Sequence, residues 1–319
     1  MAARRILIFG AGVIGSIYGG LLALGGSEVT LLTRGRRLEE LRRDGLRLQR
    51  TDVTGASMTT LLKPSVRVID YLDAEEVYDY VFVCLRAEQV MSALPLLASN
   101  RSKTFVFMVN NARGYDLWEE VLGKGRVLPA FPGAGGEIRE GVVCYGLTKK
   151  MVQPTVLGEI GGEQSVRMKK LRKLLDGAGF ATEIRRDMDA WQKTHLALVC
   201  PLACALYLDG GDNRTLARNT TVLTLAAKAL KETLAFIRQS GIGIRPERFG
   251  LIRFVPVWMI RVVLTCLFDS RWAETFVLGH SLNARGEMEH LTEELLTLAE
   301  QRGFDLPVLR QLTPSRFGH

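Results

Sequence analysis

Three glycines near the start of the chain, Gly10, Gly12 and Gly15, stand at the spacing G-x-G-x-x-G, with Val13 and Ile14 between the last two. The motif follows an apolar, β-rich run, Arg5–Phe9, and opens an apolar helical pattern that runs from Val13 to about Leu24. In that setting each glycine has its own reason. Gly10 makes a tight turn, Gly12 lets backbone approach a pyrophosphate, and Gly15 lets the helix pack on the strand. The N–H groups that open the helix, around Val13, Ile14 and Gly15, then hold the anion. The end of the next strand selects the dinucleotide. An NAD site places Asp or Glu there, whereas this chain reads Thr33-Arg34-Gly35-Arg36-Arg37. A guanidinium fork suits a 2′-phosphate. Arg34 is therefore assigned to that phosphate and NADP(H) is the expected cofactor, with the remaining arginines a solvated start of a helix.

A second centre lies far along the chain, in Trp191-Gln-Lys193-Thr-His195. Lys193 starts a long apolar helix, where an ammonium can give a proton or a charged hydrogen bond to a carbonyl oxygen as hydride reaches the carbon. The alternative is a surface lysine whose stem covers apolar neighbours. His195, two residues on, projects from another helix face and reads as structural.

The elements that must position these residues alternate strand and helix: Glu28–Thr33, Tyr80–Leu85, Glu88–Ala98, Thr104–Val109, Tyr115–Leu122 and Arg126–Phe131. Leu46–Ile69 reads as a β-hairpin or strand crossover. Beyond Asp187 the periodicity is helical, over Met188–Tyr207, Thr220–Ser240, Pro246–Phe268 and Trp272–Arg302. The fold class is thus α/β, with an N-terminal Rossmann-type parallel-sheet domain over 1–183 and an all-α domain over 184–319, the catalytic and substrate part.

Composition narrows the partners. The chain has 319 residues, 47% of them hydrophobic and 24% charged, which fits a globular protein and excludes a disordered or disulfide-stapled one. The net charge of +8 allows nucleic acid until it is located. Residues 34–50 carry seven arginines against Glu39, Glu40 and Asp44, and 164–175 carry five cations and no acid. The first stretch starts at the expected phosphate site. The second reads as the solvated face of a helix that turns Met168, Leu171 and Leu175 inward. No nucleic-acid partner is expected. Five cysteines without metal-type CxxC pairs read as reduced thiols, no metal is expected, and MAARRILIFGAG has no signal-peptide pattern; the expectation is a cytoplasmic protein. The apolar run Leu251–Phe268 contains Arg253, Pro256 and Arg261, costly inside a bilayer, and reads as a buried or subunit-facing helix rather than a membrane span. It motivates the expectation of a homodimer.

With the glycine motif and Arg34, Asn110-Asn111 at a strand end, Trp191-x-Lys193, and Glu287-Met-Glu-His-Leu sixteen residues before Gly303, the chain resembles the ketopantoate reductases of the 6-phosphogluconate-dehydrogenase-like superfamily. The resemblance spans nearly the whole sequence. It implies a Rossmann domain and a helical domain with the active site in the cleft between them, and NADPH-dependent reduction of the 2-oxo acid ketopantoate on the way to pantothenate and coenzyme A. It also implies roles. Lys193 is similar to the family's general acid, and Glu287 to the glutamate that orients the lysine or binds the substrate hydroxyl. Asn111 is similar to the asparagine that contacts cofactor and substrate.

Three departures accompany the resemblance. The family lysine after the Tyr80–Leu85 strand is Arg86 here, assigned to the substrate carboxylate, although a planar fork is not a compact ammonium. Two family asparagines, one and two turns beyond Lys193, are Ala197 and Pro201, which implies weak ketopantoate binding or a less polar 2-oxo acid. A catalytically silent NADP(H)-binding sensor is the reading from another class. Pro132-Gly-Ala-Gly-Gly-Glu137 reads as either a loop shaped to substrate or a turn.

Overall fold

The computed structural model describes residues 3–52, 56–58, 60–270 and 285–313. Four short runs without a polar face form its centre: β1 (Arg5–Phe9), β2 (Glu28–Leu32), β5 (Tyr80–Val83) and β6 (Phe105–Met108). Strands buried on both faces belong in a parallel sheet covered by helices. They do so here, in an eight-stranded sheet of order β11-β10-β7-β6-β5-β1-β2-β4 among the described residues. β4 (Arg67–Ile69) and β7 (Val127–Phe131) extend the parallel set. β10 (Thr155–Leu157) runs antiparallel to β7, and β11 (Thr182–Ile184) follows β10.

The helices α1 (Val13–Leu24), α2 (Gly35–Asp44), α3 (Ala87–Ser99), α4 (Asp116–Leu122) and α5 (Val166–Gly177) complete this part. α5 buries Met168, Leu171 and Leu175 and leaves its lysines outward, as its charge pattern predicted. Tyr18 on α1 stacks on Phe180 with centroids 4.1 Å apart, and its hydroxyl bonds Thr155 and the Gly133 N–H.

Two stretches depart from the expectations above. Leu46–Ile69, expected as a hairpin or crossover, keeps antiparallel bridges between Leu48 and Leu62 and between Thr51 and Ser57, but its strands are divided between two sheets. β3 (Leu48–Arg50) joins a small three-stranded sheet with β8 (Ala134–Arg139) and β9 (Val142–Leu147), while β4 joins the large one. The glycine-rich stretch is neither turn nor substrate loop but the start of β8. A Cβ on Gly136 would lie 2.1 Å from the Cys144 carbonyl oxygen, and one on Gly133 2.3 Å from the Thr155 nitrogen. Those glycines admit a neighbouring backbone.

The chain divides into two compact units, Met1–Val109 with Tyr115–Met188, and Asn110–Gly114 with Asp189–His319. The second is helical: α6 (Met188–Leu208), α7 (Asn213–Arg218), α8 (Thr220–Gln239), α9 (Val257–Phe268), α10 (Arg285–Gln301) and α11 (Pro307–Leu312). The helix expected over Pro246–Phe268 is broken into a 3₁₀ segment, Glu247–Phe254, and α9. Val255 before Pro256 is extended, because the proline ring disfavours helical backbone at the residue preceding it. α9 buries Ile260, Leu264 and Phe268 and exposes Trp258, Val262 and Val263, so it is only half buried. No helix among the described residues is long and apolar enough to cross a membrane. Of the helix expected over Trp272–Arg302, residues 272–284 lie outside the described residues.

Pro201 sits inside α6 and has no N–H to give the Ala197 carbonyl one turn back. The fully buried Thr233 of α8 offers the missing donor: its Oγ1 lies 2.7 Å from the Ala197 oxygen, nearer than the Ala229 and Leu230 carbonyls of its own helix at 2.9 and 3.2 Å. Replacing Thr233 with valine keeps the shape and leaves that carbonyl unpaired, which is expected to destabilise the protein by about 1–3 kcal/mol. Thr224→Val, whose hydroxyl bonds only within its own exposed turn, is the control that changes little in the same unfolding experiment.

Candidate active site

The parallel register sets a candidate cofactor site in the first unit. Phe9 pairs with Leu32 on one side and Val83 on the other, so β1, β2 and β5 end together. Their carboxyl ends deliver Gly10, Arg34 and Arg86 to one edge of the sheet, the edge where open α/β sheets take ligands. Gly10, at φ +104°, lies against β5: a Cβ there would stand 2.6 Å from the Cys84 oxygen. Gly15 is tighter still, with 1.9 Å from a built Cβ to the Gly10 oxygen.

Gly12 is different. A Cβ on it meets nothing within 4 Å, so the backbone there faces open space. It caps α1 without a side-chain hydrogen bond, and the first turn of that helix carries no acid. A helix start with unpaired N–H groups, no competing carboxylate and room above its glycine fits a dinucleotide phosphate. Arg34 is the exposed N-cap of α2, and Arg86 the exposed N-cap of α3. Burial pushes the neighbouring Cys84 thiol up from its ordinary value.

Arg37, which the sequence left among the solvated arginines, is mostly buried. Its guanidinium bonds the Ala11 carbonyl, the Ser16 hydroxyl and Glu40.

A second cluster lies in the helical unit. Lys193 is 5% exposed, which removes the surface-lysine reading. Its Nζ lies 2.6 and 2.5 Å from the two oxygens of Asp189, one helical turn earlier. Asp189 was missed in the sequence, although its i, i+4 spacing to Lys193 was there to be read. Glu287, in the first turn of α10, is also buried, and its Oε1 accepts from Asn110 Nδ2 at 3.3 Å.

The asparagine that reaches Glu287 is thus Asn110. Asn111 turns its amide to its own loop: Nδ2 donates to the Gly114 carbonyl at 2.6 Å, and Oδ1 accepts from the Arg113 N–H at 3.0 Å. The loop is gripped at three points. Asn110 is on Glu287, Arg113 pairs with Glu294 of α10 at 2.8 Å, and Gly114 lies beside Asp189. Through it the pairs Lys193–Asp189 and Asn110–Glu287 belong to one cluster. His195 stacks on Trp191 with rings 5.4 Å apart, a structural arrangement. Ala197 is fully buried and Pro201 is buried, so neither position presents a polar group.

Comparison with known proteins gives the following similarities. Residues 6–151 match the family described as ketopantoate reductase PanE/ApbA. A 2-dehydropantoate 2-reductase from Archaeoglobus fulgidus is 24% identical over 318 residues, 98% of this chain and 96% of that one. Among solved structures, the PanE/ApbA family ketopantoate reductase from Ralstonia eutropha JMP134 superposes with a TM-score of 0.75 at 21% identity, covering 96% of this chain and 95% of that one. A D-mandelate dehydrogenase, in a ternary structure with NADH and anilino(oxo)acetate, superposes with a TM-score of 0.73 at 16% identity, covering 96% and 95%. These structural likenesses establish the fold.

Proposed function

We propose that the chain, whose residues 6–151 match the ketopantoate reductase family, is a member of that family and reduces a 2-oxo acid to a 2-hydroxy acid with NADPH, ketopantoate being the first candidate substrate. The observation that carries the reading is the buried Lys193, fixed by Asp189 one turn earlier in α6. An ammonium kept out of water beside a single carboxylate is a charged donor with N–H bonds to spare.

When bound, the reduced nicotinamide supplies the hydride. The chain's residues do the rest. The N–H groups of Val13, Ile14 and Gly15, with Gly10 and Gly12 shaping the turn, hold the pyrophosphate. Arg34 pairs with the 2′-phosphate, since no acid stands at the end of β2 to favour the free ribose hydroxyl. Arg86 holds the substrate carboxylate. Lys193 donates a hydrogen bond to the keto oxygen and passes it a proton as the alkoxide forms, becoming the neutral amine. Asn110 holds Glu287, which accepts from a substrate hydroxyl. Asn111 shapes the loop that presents Asn110.

A second reading, a less polar 2-oxo acid, is favoured by Ala197 and Pro201, which place no amide on α6 beyond Lys193. The D-mandelate dehydrogenase likeness makes an aryl 2-oxo acid the natural member to try. A homodimer belongs to this reading, supported by the apolar outer face of α9, as does a cytoplasmic enzyme.

The test is NADPH oxidation against a panel of 2-oxo acids that includes ketopantoate and an aryl 2-oxo acid. Turnover with ketopantoate at the highest kcat/KM is the expected result. A preference for the aryl acid supports the second reading, and NADPH binding without turnover on any 2-oxo acid leaves the silent sensor instead.

A further inference from the structure

The turn that opens α1 is held from a side its glycines do not explain. Ala11 is 2% exposed, and its carbonyl lies between β1 and α1, outside both hydrogen-bond ladders. A buried carbonyl in that position needs a donor from elsewhere. Two reach it, Ser16 Oγ at 3.1 Å and Arg37 Nε at 3.2 Å. The same guanidinium places Nη2 3.3 Å from Ser16 Oγ and Nη1 3.3 Å from Glu40 Oε2. Ser16 has one proton, which it gives to Ala11, so it meets Arg37 as an acceptor and the network is consistent. The Arg37 side chain is only 14% exposed, unlike Arg36 at 91%. Twenty-six residues separate Arg37 from Ala11, so no local propensity brings them together.

The direction of this contact matters for what the turn can bind. In a trans peptide the carbonyl and the following N–H point opposite ways. Arg37 draws the Ala11 carbonyl toward α2, and the Gly12 N–H is thereby turned away from α2. Ser16, the second anchor, stands in the first turns of α1, so the same side chain also fixes how that helix begins. The guanidinium is restrained in turn by Glu40, whose carboxylate is held below its ordinary pKa chiefly by Arg36 and then by Arg37.

We propose that Arg37 is a positioning residue of the dinucleotide turn. By clamping the Ala11 carbonyl and the Ser16 hydroxyl, it holds the 11–12 peptide and the start of α1 in the arrangement whose N–H groups receive the pyrophosphate. It acts alike for the phosphorylated and the unphosphorylated dinucleotide, and leaves the 2′-phosphate to Arg34. The proposal rests on the dinucleotide reading of the turn. Lysine cannot take the place of Arg37, because one ammonium on a flexible stem does not span a carbonyl, a hydroxyl and a carboxylate in a planar fork.

Fluorescence titration with NADPH and with NADH separates the roles, using wild type, Arg37→Leu, Arg37→Lys, Ser16→Ala and Arg34→Ala. Arg37→Leu and Arg37→Lys are expected to weaken both cofactors by the same factor, about tenfold, the loss that follows removal of a charge-assisted hydrogen bond. KM for both cofactors rises accordingly, while kcat at saturating cofactor stays at the wild-type value. Arg34→Ala weakens NADPH alone. A loss confined to NADPH in the Arg37 variants would make Arg37 a reader of the 2′-phosphate and overturn the proposal. So would unchanged binding of both cofactors, which would leave a purely structural contact. Should Arg37→Leu fail to fold, Ser16→Ala decides: it removes one anchor oxygen, and a parallel weakening of both cofactors is expected. A wild type that bound neither dinucleotide would defeat the cofactor reading, and the proposal with it.

Discussion

Replacing Lys193 with alanine is expected to lower kcat for 2-oxo acid reduction by about two to four orders of magnitude, the usual worth of a positioned general acid. NADPH affinity is expected to stay at the wild-type value, since the ammonium belongs to the helical unit and the glycine turn to the other. Stability should change little, because the Asp189 carboxylate left behind is 39% exposed and can be hydrated. Lys193→Arg is the sharper variant. It keeps the charge but spreads it over a planar fork, and the proton that an ammonium can release is held by a group that stays protonated. Arginine should therefore restore binding of the 2-oxo acid more than turnover. The measurement is steady-state NADPH oxidation beside a cofactor titration on the same protein. Alanine at 193 with undiminished kcat would remove this residue from the chemistry.

The two glycines of the turn should fail in opposite ways, and that contrast is the second large effect. At Gly15 a methyl group would stand 1.9 Å from the Gly10 carbonyl oxygen and 2.8 Å from Ile8 Cγ2. The first of these is backbone and cannot step aside, so Gly15→Ala must open the strand–turn–helix junction. Overpacking of this kind costs about 1–3 kcal/mol even against movable side chains, and the cost here should be at the upper end or beyond. Gly15→Ala is expected to lower Tm and abolish cofactor binding together.

At Gly12 the same methyl group meets nothing within 4 Å, and φ −70° is ordinary for alanine. The N-cap change from Gly to Ala costs only about a few tenths of a kcal/mol. Gly12→Ala should therefore keep its Tm yet lose at least about tenfold in NADPH and NADH affinity, because the methyl occupies the space a phosphate would take. Thermal unfolding paired with titration reads both effects. Undiminished binding by Gly12→Ala would mean that the pyrophosphate does not approach this backbone.

What could be read along the chain were features whose cause is local. The glycine turn follows from spacing, and the inward row Met168, Leu171 and Leu175 from helical period. The absence of an acid after β2 is a matter of residue type at one position. The Asp189–Lys193 pair was equally local, four residues apart on a helix, and could have been found from spacing. Misreadings fell where a partner distant in sequence decides. Gly133 and Gly136 look like turn formers until β9 and the chain entering β10 lie against them. Leu48–Arg50 keeps its local antiparallel bridge from Leu48 to Leu62, but its other edge pairs in parallel with Val143–Tyr145, which no local pattern announces. At Pro256 the break is local, a proline that ends one helical segment and opens the next inside an apolar run.

Two asparagines side by side, Asn110 and Asn111, carry no signal that separates them. The tertiary structure does, by closing the 110–114 loop on the Asn111 amide and bringing Glu287 to Asn110 across 177 residues. In the same way, only the fold distinguishes Arg37 from Arg34 and Arg36, since the direction of each guanidinium depends on where α2 lies against the glycine turn. The kinds of group present — a glycine turn before a helix, a cation after β2, a lysine at the start of an apolar helix — are properties of residues and short periods. Which member of each group meets which partner is set by loop closure and packing over tens to hundreds of residues, where free energy depends on the whole chain rather than on any window of it.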